Sequence, residues 1–276
     1  MNYEALILSA NNFFMSDKCN YIQPDDAMRE DIVGMRIFDE PVFACGRADD
    51  PYYAKLKDDA VLSAGFMFPD EWLPGARSVL SFFFPASERV RKANSADFVM
   101  PADEWLHCRI EGQEANNKFC EYICKLLTDA GYKAVAPSID PRLVEDIANF
   151  RTNWSERHTA FICGHGTFGM SCGLITKYGM AGRFGSVITD MEMPYTARDY
   201  EDIYEYCIKC GLCAERCPAD AIDPSRPIKE AKSHEKCRAY QGPIRSLPPR
   251  GKSQKVRYGC AKCQMVVPCE TGIPGR

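Results

Sequence analysis

Cys207-Ile208-Lys209-Cys210-Gly211-Leu212-Cys213-Ala214-Glu215-Arg216-Cys217-Pro218 is the stretch that decides how the chain is read. Its cysteines follow an x2-x2-x3 spacing with a trailing proline, the run found in bacterial ferredoxins. A cubane cluster needs four thiolates at tetrahedral corners. One tight loop supplies three of them, and the fourth comes from elsewhere. The cysteine before proline therefore ligates the other cluster in two-cluster proteins. Gly211 lets the backbone approach such a cluster closely.

Four more cysteines complete the count: Cys237, Cys260, Cys263 and Cys269. Eight thiolates suit two [4Fe–4S] clusters, paired as Cys207, Cys210, Cys213 and Cys269 for one and Cys217, Cys237, Cys260 and Cys263 for the other. Pro268 precedes the last cysteine instead of following it, so the second set is looser than the first. A zinc site is the competing reading, but zinc is usually served by two CxxC pairs.

Working outward, fifteen cysteines in 276 residues is a high, odd count. The remaining seven, Cys19, Cys45, Cys108, Cys120, Cys124, Cys163 and Cys172, are scattered. No export signal is evident at the N-terminus, so a reducing cytoplasmic compartment is expected, where clustered cysteines bind metal more often than they pair. Apolar residues make up 46% and charged residues 26%, a soluble globular balance. No apolar run reaches membrane-spanning length. The net charge of −4 gives no global basic balance of the kind nucleic-acid binding favours.

Upstream, Ser78 to Phe84, closed by Pro85, reads as a buried strand. Gly112 to Ala130 carries apolar side chains at helical spacing, with Gly131 beyond it. Tyr132 to Ala136 and Gly185 to Asp190 read as strands. Pro24-Asp25-Asp26 reads as a helix start, Tyr52 to Leu62 as a short helix and Pro141 to Phe150 as another. Composition shifts near residue 200 towards Cys, Pro, Lys and Arg. Such a segment buries little apolar surface, and metal clusters would supply the missing stability. Two domains are expected, residues 1–198 and 199–276.

The order of a large first domain, a full ferredoxin run, an isolated cysteine and a CxxC pair resembles epoxyqueuosine reductase and, more distantly, the reductive dehalogenases. Leu73-Pro74-Gly75-Ala76-Arg77-Ser78-Val79, Arg157-His158-Thr159-Ala160-Phe161-Ile162-Cys163-Gly164-His165-Gly166-Thr167-Phe168-Gly169 and Phe184-Gly185-Ser186-Val187-Ile188-Thr189-Asp190 look like segments of that family. The resemblance implies an α+β fold: a nitroreductase-like domain holding cobalamin, then a ferredoxin-like domain with the two clusters. It implies electron transfer from a ferredoxin or flavodoxin through the clusters to cobalt, and reduction of a small-molecule or modified-nucleoside substrate. It also implies an acid near the corrin, for which Asp140 is the candidate. His165 stands where the family has leucine, and the chain ends at Arg276 without the extension that helps members hold tRNA. A divergent relative is expected, with tRNA one substrate among others. Two rivals stand beside it: an electron-transfer or activator protein without a corrinoid, and a true tRNA epoxyqueuosine reductase.

Each candidate has a plainer reading. Gly164, His165, Gly166, Thr167, Phe168 and Gly169 could cradle a cofactor or form a tight loop. Asp140 precedes proline, a common turn position. His158 and His165 are more often structural than ligating. Cys120, Cys124, Cys163 and Cys172 suit packing. Arg245, Arg250, Lys252, Lys255 and Arg257 could touch tRNA or an acidic redox partner, or form a solvated loop.

Overall fold

In the computed structural model, which describes residues 1–275, one strand organises the first two hundred residues. β1 (Val42–Arg47), β2 (Ser78–Pro85), β3 (Ala134–Val135) and β8 (Gly182–Thr189) form an antiparallel sheet in the order β1-β2-β8-β3. The sequence Ser-Val-Leu-Ser-Phe-Phe-Phe-Pro is buried at every position of β2. A continuous apolar run of this kind suits a strand covered on both faces. Leu80, Phe82 and Phe84 point into one core with the long helix Asp103–Asp129 and the N-terminal helix Tyr3–Ser16. Phe119 meets Phe82 and Phe84 there at centroid distances of 4.9 and 5.1 Å. Val79 and Phe83 point the other way, into a second core with helix Glu156–Cys163. Phe83 stacks on Phe184 of β8 at 4.6 Å. Aromatic pairs at these separations add to the area they bury.

β8 pairs with β2 from Ser78↔Thr189 to Pro85↔Gly182. Both strands were expected, and β8 begins three residues earlier than its reading. The long helix also starts earlier, at Asp103, with Asp103 and Glu104 in its first turn and Trp105, Leu106 and Cys108 buried. Two expected helices are absent. After Pro24 the chain makes a turn, with Ala27 N donating to Gln23 O, and then a short 3-10 turn at Glu30–Ile32. Residues 141–150 give instead the start of a hairpin, β4 (Glu145–Asp146) with β5 (Arg151–Thr152). Its apolar Val144 and Ile147 are 61% and 59% exposed, so no core face holds a helix there. Of residues 52–62, only Tyr52–Lys55 is helical.

Beyond residue 199 regular structure thins to the helix His234–Arg245 and short turns. This segment does not stand apart. Tyr206, Cys213 and Val267 join the second core, and Met265 joins the first. Among the described residues no helix is long and apolar enough to cross a membrane.

Candidate iron–sulfur and substrate site

The ferredoxin run folds as a loop followed by the one-turn helix Leu212–Glu215. Gly211, with φ +79°, turns the chain into that helix through a left-handed conformation that glycine adopts freely. Lys209, Ala261 and Val266 take the same left-handed region at φ 55°, 55° and 57°, each within a cysteine loop. Non-glycine residues persist there, at about 1–3 kcal/mol each, where surrounding structure over-determines them. Helix Leu212–Glu215 packs on the short turn Lys262–Gln264, which brings the two cysteine-bearing loops together.

Cys207, Cys210, Cys213 and Cys269 line one cleft, walled by the apolar side chains of Met180 and Val267. Met180 N donates to Cys269 O at 3.0 Å, which ties the last cysteine to the turn preceding β8. Cys210 is exposed and Cys213 buried. Burial pushes the thiols of Cys213 and Cys269 up to about 12. Cys217, Cys237, Cys260 and Cys263 form a neighbouring group. Cys260 lies in electrostatic reach of the other three, and burial raises it to about 11. Ala221 N donates to Cys217 Sγ at 3.4 Å, and Gln241 Nε2 to Cys237 Sγ at 3.5 Å. Cys263 is in reach of both Cys213 and Cys269, so the two groups adjoin.

Among the described residues no three His, Cys, Asp or Glu side chains converge closely enough for a single metal ion. A lone zinc would draw its thiolates to about 2.3 Å from one centre; a cubane holds them apart at separate corners. A further observation bears on what the second group accommodates. Arg216, between Cys213 and Cys217, is 5% exposed, and all three of its guanidinium nitrogens lack a hydrogen-bond partner. Lys262, between Cys260 and Cys263, is fully buried, and its Nζ bonds only Asn94, at 2.8 and 3.3 Å. A buried cation without a counter-ion is costly. A cluster carrying four thiolates is an anion and would offset both. The residues present therefore fit such a group.

Arg157 opens helix Glu156–Cys163 beside this second group. Its side chain is solvent-exposed by area, although protein atoms crowd around the guanidinium. Desolvation pulls its guanidinium below the ordinary value, with Cys172, Cys263, Arg109 and Cys237 in reach. Arg183 of β8 is likewise lowered to about 9, by burial and then by repulsion from Arg109. Arg183 donates to Gln113 Oε1 at 2.5 Å and Arg109 O at 2.9 Å, and its Nε is unpartnered.

The glycine stretch lies between the sheet and the first cysteine group. Gly164, with φ +100°, ends the helix Glu156–Cys163. β6 (Gly166–Phe168) pairs with β7 (Leu174–Thr176). A Cβ on Gly166 would sit 1.8 Å from Ile175 O, so the close approach this glycine permits is to the chain's own backbone. Thr167 Oγ1 accepts from Tyr206 N at 2.8 Å and Phe168 N donates to Ile203 O at 2.7 Å, binding the hairpin to the cysteine segment. Gly169 reaches the edge of the first cysteine cleft. His165 is 7% exposed with Nε2 unpartnered, and burial lowers it to about 4. His158, also lowered to about 4 by burial, bonds Ser155 Oγ at 2.8 Å. Both imidazoles are neutral at pH 7.

Asp140 sits on a loop, paired with Arg142 at 2.8 Å. The hydrogen bonds from Arg142 hold its carboxyl below the ordinary value. It is an ionised turn residue in this conformation, with Arg142 stacked over Trp72 at 5.0 Å. Sequence reasoning passed over Glu156. Both its carboxylate oxygens are buried, and desolvation raises the group to about 7 against the opposing pull of Ser186 and Trp154. Its place directly before Arg157 was the available signal.

In the basic stretch Arg250 pairs with Asp103, Lys252 with Asp25, Lys255 with Asp26 and Glu114, and Arg257 with Glu111. Arg257 is buried and Lys255 half-buried, while Arg245, Arg250 and Lys252 stay exposed, as in a solvated loop. The stretch straps the cysteine segment to the long helix. Cys45, Cys120 and Cys163 are buried in the cores, Cys108 is buried in the first core, and Cys19 and Cys124 pack at its edge.

Residues 200–223 match the family model described as a 4Fe-4S binding domain. No curated protein sequence matches the chain. Among solved structures, an epoxyqueuosine reductase bound to an epoxyqueuosine-modified tRNA-Tyr stem loop is 16% identical with a TM-score of 0.53, over 99% of this chain and 66% of that one. The fold is that of the epoxyqueuosine reductases. The Bacillus subtilis epoxyqueuosine reductase, solved with its aspartate-bearing catalytic loop swung out of the active site, is 15% identical with a TM-score of 0.54, over 98% of this chain and 66% of that one. A catabolic reductive dehalogenase is 13% identical with a TM-score of 0.53, over 85% of this chain but 30% of its own length. The chain thus spans just under two thirds of the epoxyqueuosine reductase chains it matches and under a third of this dehalogenase.

Proposed function

We propose that the chain is an iron–sulfur reductase in which Cys207, Cys210, Cys213 and Cys269 hold one [4Fe–4S] cluster and Cys217, Cys237, Cys260 and Cys263 hold a second. The observation that carries this reading is the gathering of eight cysteines, distant in sequence, into two adjoining groups of four. A ferredoxin or flavodoxin would deliver electrons at the exposed Cys210 edge, and the second group would pass them on towards Arg157.

We place a corrinoid beside Arg157, on a sheet domain read as related to flavin nitroreductases. One fold neighbour is a reductive dehalogenase whose structure is described as suggesting B12-dependent dehalogenation. Bound there, a corrinoid would supply a strongly reducing metal centre. Arg109, Arg157 and Arg183 would present positive charge to an anionic part of the cofactor or substrate. The ion pairs of the basic strap leave less free charge for a tRNA backbone, which favours a small-molecule substrate over tRNA. Asp140 is the candidate proton donor by resemblance. Paired with Arg142 it is ionised, so its role requires that pair to open.

A second reading has its own support. The glycine stretch closes on its own hairpin, which suits an electron-transfer protein that holds the clusters alone. Anaerobic preparation followed by iron, sulfide and cobalt analysis, before and after cobalamin is added, separates the two. The reductase reading expects about eight iron atoms per chain and stoichiometric retained cobalt with corrin absorption bands. Iron without cobalt leaves the electron-transfer reading. Zinc, or no inorganic sulfide, overturns both. With the corrinoid bound, D140N should keep both clusters and lose turnover; unchanged turnover removes Asp140 as the acid.

A further inference from the structure

We propose that Arg216 and Lys262 are charge-compensating residues that set the reduction potential of the Cys217, Cys237, Cys260 and Cys263 cluster above that of the Cys207, Cys210, Cys213 and Cys269 cluster. The inference rests on the two-cluster reading above. It adds an asymmetry between the two sites and names the residues responsible.

Lys262 lies in electrostatic reach of Cys260, a member of the second group, and Arg216 in reach of Lys262. Arg216 precedes Cys217 directly, and its guanidinium lies over the ring of Phe98 at 4.1 Å. It is 5% exposed, and none of its guanidinium nitrogens has a hydrogen-bond partner among the described residues. Lys262 lies between Cys260 and Cys263 and is fully buried. Its ammonium bonds only the carbonyl and side-chain oxygens of Asn94. Asn94 in turn donates to Cys260 O at 3.0 Å, which holds the lysine against the loop. Neither cation forms an ion pair among the described residues. Asp97 is in electrostatic reach of Lys262, but its carboxylate accepts from Val99 N and Met100 N at 2.5 and 2.7 Å.

The first group is built otherwise. Its walls include Met170, Ile175, Met180 and Val267, and the one cation lining the cleft, Lys209, is exposed to solvent. Reduction adds one negative charge to a cluster. A buried cation nearby stabilises that charge strongly, because low surrounding polarizability leaves it unscreened; Asp97, in reach of Lys262 but exposed, is screened by water and offsets it only in part. An exposed lysine does little, because water and salt screen it. Two buried cations at one site and none at the other make the second site the easier to reduce. An electron entering at the Cys210 edge then settles in the group within reach of Arg157.

The test is a redox titration of the full chain, anaerobically reconstituted and reduced with dithionite, followed by electron paramagnetic resonance. In the unaltered protein two separate midpoints are expected. R216Q should lower the higher midpoint and leave the lower one in place, and K262Q should do the same. R216K, which keeps the charge, should restore the original value. Iron content of each variant shows whether its clusters are retained, and either single variant suffices if the other fails to assemble. Full iron content with no shift, or an equal shift of both midpoints, overturns the inference and leaves the two-cluster reading intact. Iron well below eight per chain in the unaltered protein overturns both.

Discussion

The first two hundred residues and the cysteine segment are held together by different forces. In the first region β2 is buried along its whole length between two cores, and its aromatic side chains meet others on both faces. Apolar burial of this kind stabilises in proportion to area and needs no partner outside the chain. The cysteine segment has short turns, few regular elements and left-handed backbone at Lys209, Asp220, Ala261 and Val266. It carries two buried cations beside its thiols and is tied to the long helix by ion pairs from Arg250 through Arg257. One region would fold on its own contacts. The other needs that region as a base and something anionic among its cysteines.

Removing iron breaks the comparison most forcefully. Oxidative loss of the clusters with a chelator present should abolish amide-exchange protection after residue 200. Protection along β2 and β8 should survive. Metal binding and folding are coupled in cluster-dependent segments at about 10 kcal/mol or more in comparable metal sites. Uniform loss of protection across both regions would show that the sheet domain also depends on the metal.

The next largest effect probes the strap. Glu111 receives Arg257 at 2.6 Å and the Nδ1 of His107 at 3.0 Å. His107 Nε2 accepts from Met28 N, so the imidazole is the neutral tautomer that donates to Glu111. Burial alone would raise Glu111, yet the hydrogen bonds from His107 and Arg257 hold it down to about 2. A depressed carboxyl contributes stability that is present above its ordinary value of 4.5 and is lost as pH falls towards 2. E111Q leaves Arg257 buried without its counter-ion and should cost about 3–5 kcal/mol at pH 7. Urea unfolding followed by circular dichroism measures it. A loss below about 1 kcal/mol would mean that the strap is not what holds the segment.

The same contrast explains what sequence alone conveyed. Strand β2 and the long helix were legible because apolar periodicity reports burial directly. The ferredoxin run was legible because cluster chemistry fixes its spacing. Residues 141–150 misled because Val144 and Ile147 have helical spacing but no core to face, and a hairpin turning at Phe150, φ +57°, wins. The ion pairs of the strap were not legible because its partners, Asp25, Asp26, Asp103, Glu111 and Glu114, lie more than a hundred residues away. Glu156 was missed because a raised carboxyl depends on burial, which a charged residue next to arginine does not advertise.

Glu156 gives the smallest effect and the sharpest pH signature. Desolvation raises it from 4.5 to about 7, against the opposing pull of the neighbouring Ser186 and Trp154 side chains. The folded state therefore binds the proton more tightly than the unfolded chain. Its stability contribution is fully present below about pH 4.5 and declines as pH rises through 7, leaving a penalty of about 3 kcal/mol above that. Glutamine keeps the shape and does not titrate. E156Q should match the unaltered protein near pH 4.5 and exceed its stability by up to about 3 kcal/mol at pH 8. His158 and His165, each lowered to about 4, weaken both proteins equally as pH falls below 6.5 and cancel in the difference. Urea midpoints across pH 4.5 to 8 give that difference directly. A difference that stays flat with pH would mean that water or a hydrogen-bond donor reaches the Glu156 carboxylate in the folded state and that burial does not raise it.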